Sequence, residues 1–266
     1  MLPPNLLRRR QMPIGWDHPD TARYYEAFCR QHARYTEANR ALIAAAALRH
    51  GQRVLDLAAG TGGTAEAALE HGVELTCVEP ANAMRQVGER RVPSARWIAA
   101  WPEEGEAFDR VLCGAAIWQM LPVGQTFRRA AVVLRAGGAL VFNIPSLYLG
   151  EADPPGEGRD PYLLELAGKL SGGRAPQAVA AERVPPAGEI DVLLGAAGFE
   201  GARWCFRIRF TQPALRDWMK IPPLTDALLD GLPADERAAR VDAAYAQCDP
   251  ESWRWETWAG WTAWKR

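Results

Sequence analysis

The chain has 266 residues, 48% of them apolar and 24% charged, with a net charge of −1. That length allows one large α/β domain with a sizeable core, and the balanced charge gives no broad positive field to hold a phosphate backbone, so nucleic acid is not an expected partner. No apolar run approaches the roughly 20 residues of a membrane span, no basic-then-apolar leader opens the sequence, and five scattered cysteines form neither a CxxC pair nor a disulfide framework; a reducing, cytoplasmic setting without a metal site is expected.

Residues 1–15 read as an irregular arm. Asp20 is the expected N-cap of a first helix over Thr21–Phe28, and a second helix spans Thr36–Arg49, ended by Gly51. Arg53–Leu57 is a short apolar strand that runs into a Gly-rich turn and an Ala-rich helix reaching Glu70. Strands follow at Val73–Val78, Arg96–Ile98 and Arg110–Cys113, with a helix at Asn82–Glu89. Gly124–Leu134 reads as a helix, Gly137 and Gly138 as a turn, and Ala139–Ile144 as a fifth strand. Alternating strands and helices mean βαβ units and a parallel sheet. The stretch 145–186, rich in Gly and Pro, is expected to be an insertion with one helix at Tyr162–Leu170. A helix at Glu189–Ala197 precedes an alternating strand, Ala202–Phe210, with Trp204, Phe206, Ile208 and Phe210 on one apolar face. Two or three helices fill the chain to Gln247. The last segment, Trp253–Trp264, fits a strand or a helix. It holds five of the eleven tryptophans; core packing and an edge strand are expected for most of them, leaving one or two for a pocket wall.

The run Val54-Leu55-Asp56-Leu57-Ala58-Ala59-Gly60-Thr61-Gly62-Gly63-Thr64 carries the chemistry. A strand ends, the chain turns sharply and a helix begins. Glycines there permit positive φ and close approach of a ligand, and the helix start offers free N–H groups at the carboxyl edge of the sheet, where ligands bind. Gly60, Gly62 and Ala65 also satisfy the dinucleotide-binding spacing. Asp56 before the loop and Glu79 at the end of the second strand add two carboxylates, and one at Glu79 is placed to accept both hydroxyls of a ribose.

The ordered set of landmarks resembles the class I S-adenosylmethionine (SAM)-dependent methyltransferases. LDLAAGTG is similar to their first motif, with Ala58 where the first glycine usually stands, a departure that a slightly wider turn would absorb. VEPANAM (Val78–Met84), EAFDRVLCGAAIWQML (Glu106–Leu121), LRAGGALVFNIP (Leu134–Pro145) and LLGAAGFEGARW (Leu193–Trp204) follow in family order. The resemblance implies a Rossmann-like α/β fold. Its seven-stranded, mostly parallel sheet would run in the order 3-2-1-4-5-7-6, with strand 7 antiparallel, helices on both faces and a helical, aromatic lid. It divides the single domain into a helical cap (1–50), a SAM-binding core (51–144), an insertion or lid (145–187) and the C-terminal part of the sheet with a helical insertion (188–266).

It also implies SAM as cofactor, held by Asp56, Ala58, Gly60, Thr61, Gly62, Glu79, Pro80, Met84, Ala100, Trp101 and Ala115. Asp56 would face the ligand's ammonium or bond the loop amides; Ala100 and Trp101 stand where relatives often have an acidic contact to adenine. On the acceptor side the candidates are Tyr24 (or its neighbour Tyr25) on the capping helix, Trp118 and Gln119 after the fourth strand, Asn143 in the fifth, and His18 as the one histidine considered for a base. Arg174, Arg207, Arg209 and Lys220 would serve an anionic substrate. The expected activity is in-line methyl transfer to a small, secondary-metabolite-like acceptor. The alternatives are an enzyme that cyclises or cleaves SAM itself, releasing methylthioadenosine, a nicotinamide-dependent dehydrogenase, and a non-catalytic partner subunit of the same fold.

Overall fold

A computed structural model describes residues 14–103, 105–151, 166, 169–170, 184–229 and 231–266. Two helices, α1 (Pro19–Gln31) and α2 (Arg34–Ala46), precede the sheet. Then come β1 (Arg53–Leu57), α3 (Gly63–Leu69), β2 (Glu74–Val78), α4 (Asn82–Arg91), β3 (Arg96–Ile98), β4 (Phe108–Cys113), α5 (Val123–Val133) and β5 (Leu134–Pro145). After them lie α6 (Ala187–Ala196), β6 (Phe199–Thr211), three helices α7 (Gln212–Met219), α8 (Pro222–Leu229) and α9 (Ala234–Tyr245), and β7 (Trp253–Lys265). The seven strands form one sheet in the order β3-β2-β1-β4-β5-β7-β6. The pairs β1–β2, β1–β4, β2–β3 and β4–β5 are parallel, and β7 runs antiparallel to both β5 and β6.

The core is split by the sheet, as a period-2 pattern requires. Leu55 and Leu57 of β1, Leu140 and Phe142 of β5 and Trp261 of β7 pack with Phe127 of α5 and Ile190 of α6 on one face. Val54, Ala139 and Val141 point the other way and meet Leu42 and Ile43 of α2 and Ala65 and Ala68 of α3. A third cluster joins α1 and α2 to the C-terminal helices through Phe28, Tyr35, Phe210, Leu215 and Trp258.

Several sequence expectations change. His18, not Asp20, caps α1: its Nδ1 accepts the Asp20 amide at 3.2 Å. The second helix starts two residues earlier and ends at Ala46, where Ala47 turns left-handed. The fifth strand is continuous from Leu134, because Gly137, at φ 71°, makes an irregularity in the β4–β5 register and not a break. The expected helix at Tyr162–Leu170 lies almost wholly outside the described residues. Trp253–Lys265 is a strand, and an interior one: β6 takes the edge. Uneven tryptophan spacing is compatible with a strand because Trp253, Trp255 and Trp261 share one face while Trp258 and Trp264 take the other.

Where β6 crosses β7, Trp204 lies over Gly260, its cross-strand partner. A Cβ at Gly260 would come within 2.3 Å of the indole. Gly260→Ala is therefore expected to cost about 1–3 kcal/mol by overpacking, read as a fall in the urea midpoint at unchanged slope.

Candidate functional site

The loop after β1 enters left-handed backbone three times, at Ala58 (φ 53°), Gly60 (φ 57°) and Gly62 (φ 85°). Glycine adopts this freely, whereas alanine does so at a cost of about 1–2 kcal/mol. Ala58 thus takes its place in the turn at a cost in local strain. The Ala59 amide donates to the Val78 carbonyl at 3.0 Å and the Gly62 amide to the Ala59 carbonyl at 2.9 Å, which closes the loop on β2.

Glu79 follows β2 directly and faces this loop. Its Oε2 accepts the Gly60 amide and its Oε1 the Ala81 amide, each at 2.8 Å. Burial raises its pKa above the usual carboxylate range, against the two amides and Arg85, which act to lower it. The carboxylate therefore has a structural duty, locking the loop to β2, that the sequence alone did not reveal. One bond per oxygen leaves further acceptor capacity, and the side chain lines a cavity of about 330 Å³. Pro80, Met84, Ala100, Trp101 and Gln119 share that wall, with Ala58, Gly60 and Ala115. The Arg129 guanidinium lies 4.9 Å from the Trp101 ring centre.

A second cavity of about 210 Å³ adjoins the first. Its wall is polar and carries both signs: Thr36, Asn39, Thr61, Thr64, Glu66 and Arg91. Thr64 Oγ1 donates to Asn39 Oδ1 at 3.0 Å, and Arg91 donates to the Thr61 carbonyl at 3.2 Å while pairing with Glu26 and Glu66. Tyr25, Tyr35, Ala58, Gly114 and Ala115 belong to both cavities and form the throat between them.

The remaining sequence candidates lie elsewhere. Asp56 is 1% exposed, lines neither cavity and has no hydrogen-bond partner on either oxygen among the described residues. Burial, and then Glu79, push its pKa well above the carboxylate range. It does not bond the loop amides; those of Ala59 and Gly60 go to Val78 and Glu79. Gly62 lines neither cavity and packs the loop on α4, with Gly88, Val92 and Trp97 as its neighbours. Asn143 is fully buried, and both ends of its amide are committed: Oδ1 accepts the Ala115 amide and Nδ2 donates to the Ala38 carbonyl, each at 2.8 Å. It is a latch behind the throat and makes no part of the cavity wall. Trp118 stacks on Tyr148 at 4.9 Å, outside both cavities. Tyr24 points away and donates to Asp235 at 2.9 Å. His18 is occupied as the α1 cap and lines neither cavity. Arg207 and Arg209 lie on Trp255 and Trp253, and Lys220 pairs with Asp217 and Asp242, so none of the three reaches the cavities, while Arg174 lies outside the described residues.

Tyr25 takes the place expected for Tyr24. The buried stripe of α1 runs through Thr21, Ala22 and Phe28, and a helical spacing of four and three puts Tyr25 on that stripe and Tyr24 off it. Trp16, Tyr35, Gly114 and Met120 complete the walls without a local sequence signal.

Tyr35 is held from behind. Trp218 Nε1 donates to its hydroxyl at 3.1 Å. Next to Trp218, Asp217 gathers His32 at 2.9 Å, Arg216 at 2.8 Å and Lys220 at 3.2 Å. Burial alone would raise the Asp217 carboxyl, but these hydrogen bonds outweigh it and hold the group well below the carboxylate range. A depressed folded value means stability that is complete above the unfolded pKa near 3.9 and is lost as pH falls through the folded one. Asp217→Asn is expected to lower the melting temperature at pH 7 and to flatten its decline below about pH 4, as melts from pH 2 to 7 would record.

Among the described residues no helix is long and apolar enough to cross a membrane, and no group of three or more His, Cys, Asp or Glu is arranged to hold a metal. Comparison with known proteins agrees with the fold. Residues 55–142 match a family model described as "Methyltransferase domain". Demethylmenaquinone methyltransferases of Renibacterium salmoninarum (33% identical over 95 residues, 34% of this chain and 40% of that one) and Beutenbergia cavernae (32% over 106 residues, 38% and 44%) are similar in sequence. The chain thus spans about two fifths of the length of these curated relatives. Among solved structures, the YcgJ protein from Bacillus subtilis is similar at a TM-score of 0.56 with 16% identity, over 87% of this chain and 99% of that one. A SAM-dependent methyltransferase from Geobacter sulfurreducens, solved with S-adenosylhomocysteine, is similar at 0.53 with 18% identity, over 92% and 98%. At these identities the two structures speak for the fold. Residues 55–142 thus resemble a methyltransferase domain, and the sheet around them has the class I SAM-dependent methyltransferase fold.

Proposed function

We propose that this chain transfers a methyl group from SAM to a small-molecule acceptor, with the adenosyl half of SAM in the first cavity and its methionine half in the second. The observation that carries the reading is Glu79. A buried carboxylate at the end of β2, tied to Gly60 and Ala81 by one amide per oxygen, still faces the cavity with acceptor capacity for two neighbouring hydroxyls. Met84, Ala100 and Trp101 extend that wall as apolar and backbone surface suited to a purine. The second cavity, with Arg91, Glu66, Asn39 and Thr64, suits a zwitterionic amino-acid head. The names of the sequence relatives support a small acceptor.

A bound SAM supplies an electrophilic methyl on a cationic sulfur. The chain's own residues position it and exclude water. Burial raises Tyr25 and Tyr35 above the ordinary phenol value, so they keep their protons near neutrality and do not act as bases. No histidine among the described residues lines either cavity. The mechanism therefore asks little of a general base and suits an acceptor that is already a good nucleophile or that sheds its proton to solvent.

Titration calorimetry with SAM is expected to give one site per chain. Incubation with SAM and a panel of small acceptors, followed by mass spectrometry, is expected to yield S-adenosylhomocysteine. Methylthioadenosine from SAM alone would replace transfer by cyclisation or cleavage, and absence of SAM binding would end the reading.

A further inference from the structure

We infer that the projecting end of the β6–β7 pair is a docking surface for an anionic lipid bilayer, an inference that does not depend on the placement of SAM. The two strands pair from Phe199 and Lys265 at one end to Thr211 and Trp253 at the other, while β5 stops at Pro145, opposite Trp258. Arg207–Thr211 and Trp253–Thr257 therefore project beyond β5. They do so at the carboxyl end of the parallel strands, the end at which Ala58, Glu79 and Ala115 line the first cavity. Successive side chains of a strand take opposite faces. The face shared by the odd-numbered residues of β6 and β7 carries Arg203, Arg207, Arg209 and Lys265 and no carboxylate.

The inner half of this face is taken. Trp261 is buried and donates to Asp191 of α6, and Arg203 pairs with Glu151. The outer half is open: Arg207 and Arg209 are exposed, and Trp253 and Trp255 are half-buried. The Arg207 guanidinium lies 5.1 Å from the Trp255 ring centre and that of Arg209 4.5 Å from Trp253, and the two indoles meet edge-on at 5.7 Å. The rings steady the guanidinia without using their N–H groups. Each arginine has five donors and each indole one, and none of them meets an acceptor among the described residues. Charge on an edge strand discourages pairing with another sheet, which accounts for the arginines but not for two indoles left half in water. A bilayer surface accounts for both. It offers anionic oxygens to the arginines, and indoles settle at its boundary between polar and apolar layers. Leu147, 55% exposed on the short turn that follows β5 and packs on β7, adds an apolar side chain at the same end. Single-stranded nucleic acid fits less well, because its bases need free ring faces and the guanidinia lie over these.

The test is flotation of the whole chain with vesicles of phosphatidylcholine, alone or with about 30% phosphatidylglycerol. Wild type is expected to float with the anionic vesicles and not with the neutral ones. It should be released as salt rises from about 0.1 to 1 M, which shortens the reach of charge from about 10 to 3 Å. Arg207→Gln/Arg209→Gln is expected to lower binding about fivefold for each arginine and more than tenfold together. Arg40→Gln/Arg128→Gln, which removes two exposed arginines elsewhere, is expected to stay within about twofold of wild type. Both variants should melt as wild type does, since the side chains are exposed. Failure of wild type to bind the anionic vesicles would overturn the inference. So would an equal loss in the two double variants, no loss in the first, or a single-stranded oligonucleotide bound more tightly than the vesicles. None of these outcomes touches the reading of the cavities, which SAM calorimetry decides separately.

Discussion

Glu256→Ala should destabilise the fold by about 3–5 kcal/mol, the largest loss expected from any single substitution considered. Arg34 on α2 is buried, and its Nε and Nη2 donate to the two oxygens of Glu256 on β7 at 2.8 and 2.7 Å. Four rings, those of Tyr35, Phe210, Trp218 and Trp258, lie within 5.0–5.4 Å of the guanidinium. Trp258 Nε1 also donates to Glu256, at 2.8 Å. Removing the carboxylate strands a charge in apolar surroundings, leaves the indole N–H without an acceptor, and adds both to Arg34 Nη1, which has no partner among the described residues. The double variant Arg34→Met/Glu256→Leu should recover the part of the loss due to the stranded charge, because a buried ion pair is worth little against well-packed apolar groups of similar volume, and should keep the part due to the unpaired Trp258 indole N–H. Urea denaturation of the two variants beside wild type checks both statements. A Glu256→Ala cost below about 1 kcal/mol would mean that water reaches the guanidinium.

Glu79→Ala should weaken SAM binding tenfold or more. Hydrogen bonds to a charged acceptor contribute about 1.5–3 kcal/mol each, and the substitution removes the group placed to receive both ribose hydroxyls. It also frees the Gly60 and Ala81 amides that the carboxylate holds, so the loop after β1 loses its tie to β2. Glu79→Gln separates the two effects only in part, because its amide nitrogen would face one of those N–H groups, donor against donor. Both variants should therefore bind SAM weakly. The alanine variant should also melt at a lower temperature, since buried amides left unpaired cost about 1–3 kcal/mol. Calorimetry together with thermal melts separates loss of the ligand contact from loss of the loop; unchanged affinity in Glu79→Ala would remove the basis for placing a ribose there.

The sheet was legible in the sequence because each parallel strand is a short apolar run bounded by glycine or a helix signal. The family resemblance then supplied the strand order that composition and periodicity do not carry. The ends of elements were less legible: a cap is decided by which side chain reaches an amide, and His18 reached it where Asp20 fitted the residue preference. The last strand stayed ambiguous because tryptophans at uneven spacing satisfy two periods at once. In the site, Glu79 could be read from its place alone, since a carboxylate at the end of β2 is a local feature. Tyr35 could not. Its position at the throat depends on α2 lying against β5 and on Trp218, 183 residues away, holding its hydroxyl. Asn143 misled for the opposite reason: a polar side chain inside a central strand looks chemical, yet its partners are the backbone of Ala38 and Ala115, which no local pattern announces.

That one amide has a mechanical consequence. Ala38 is on the helix that carries Tyr35, and Ala115 is on the opposing rim, so Asn143 acts as a calliper that sets the gap between them. Whatever passes through the constriction is gauged by a side chain it never meets. Shortening that spacer, as in Asn143→Ala, would release the two jaws together.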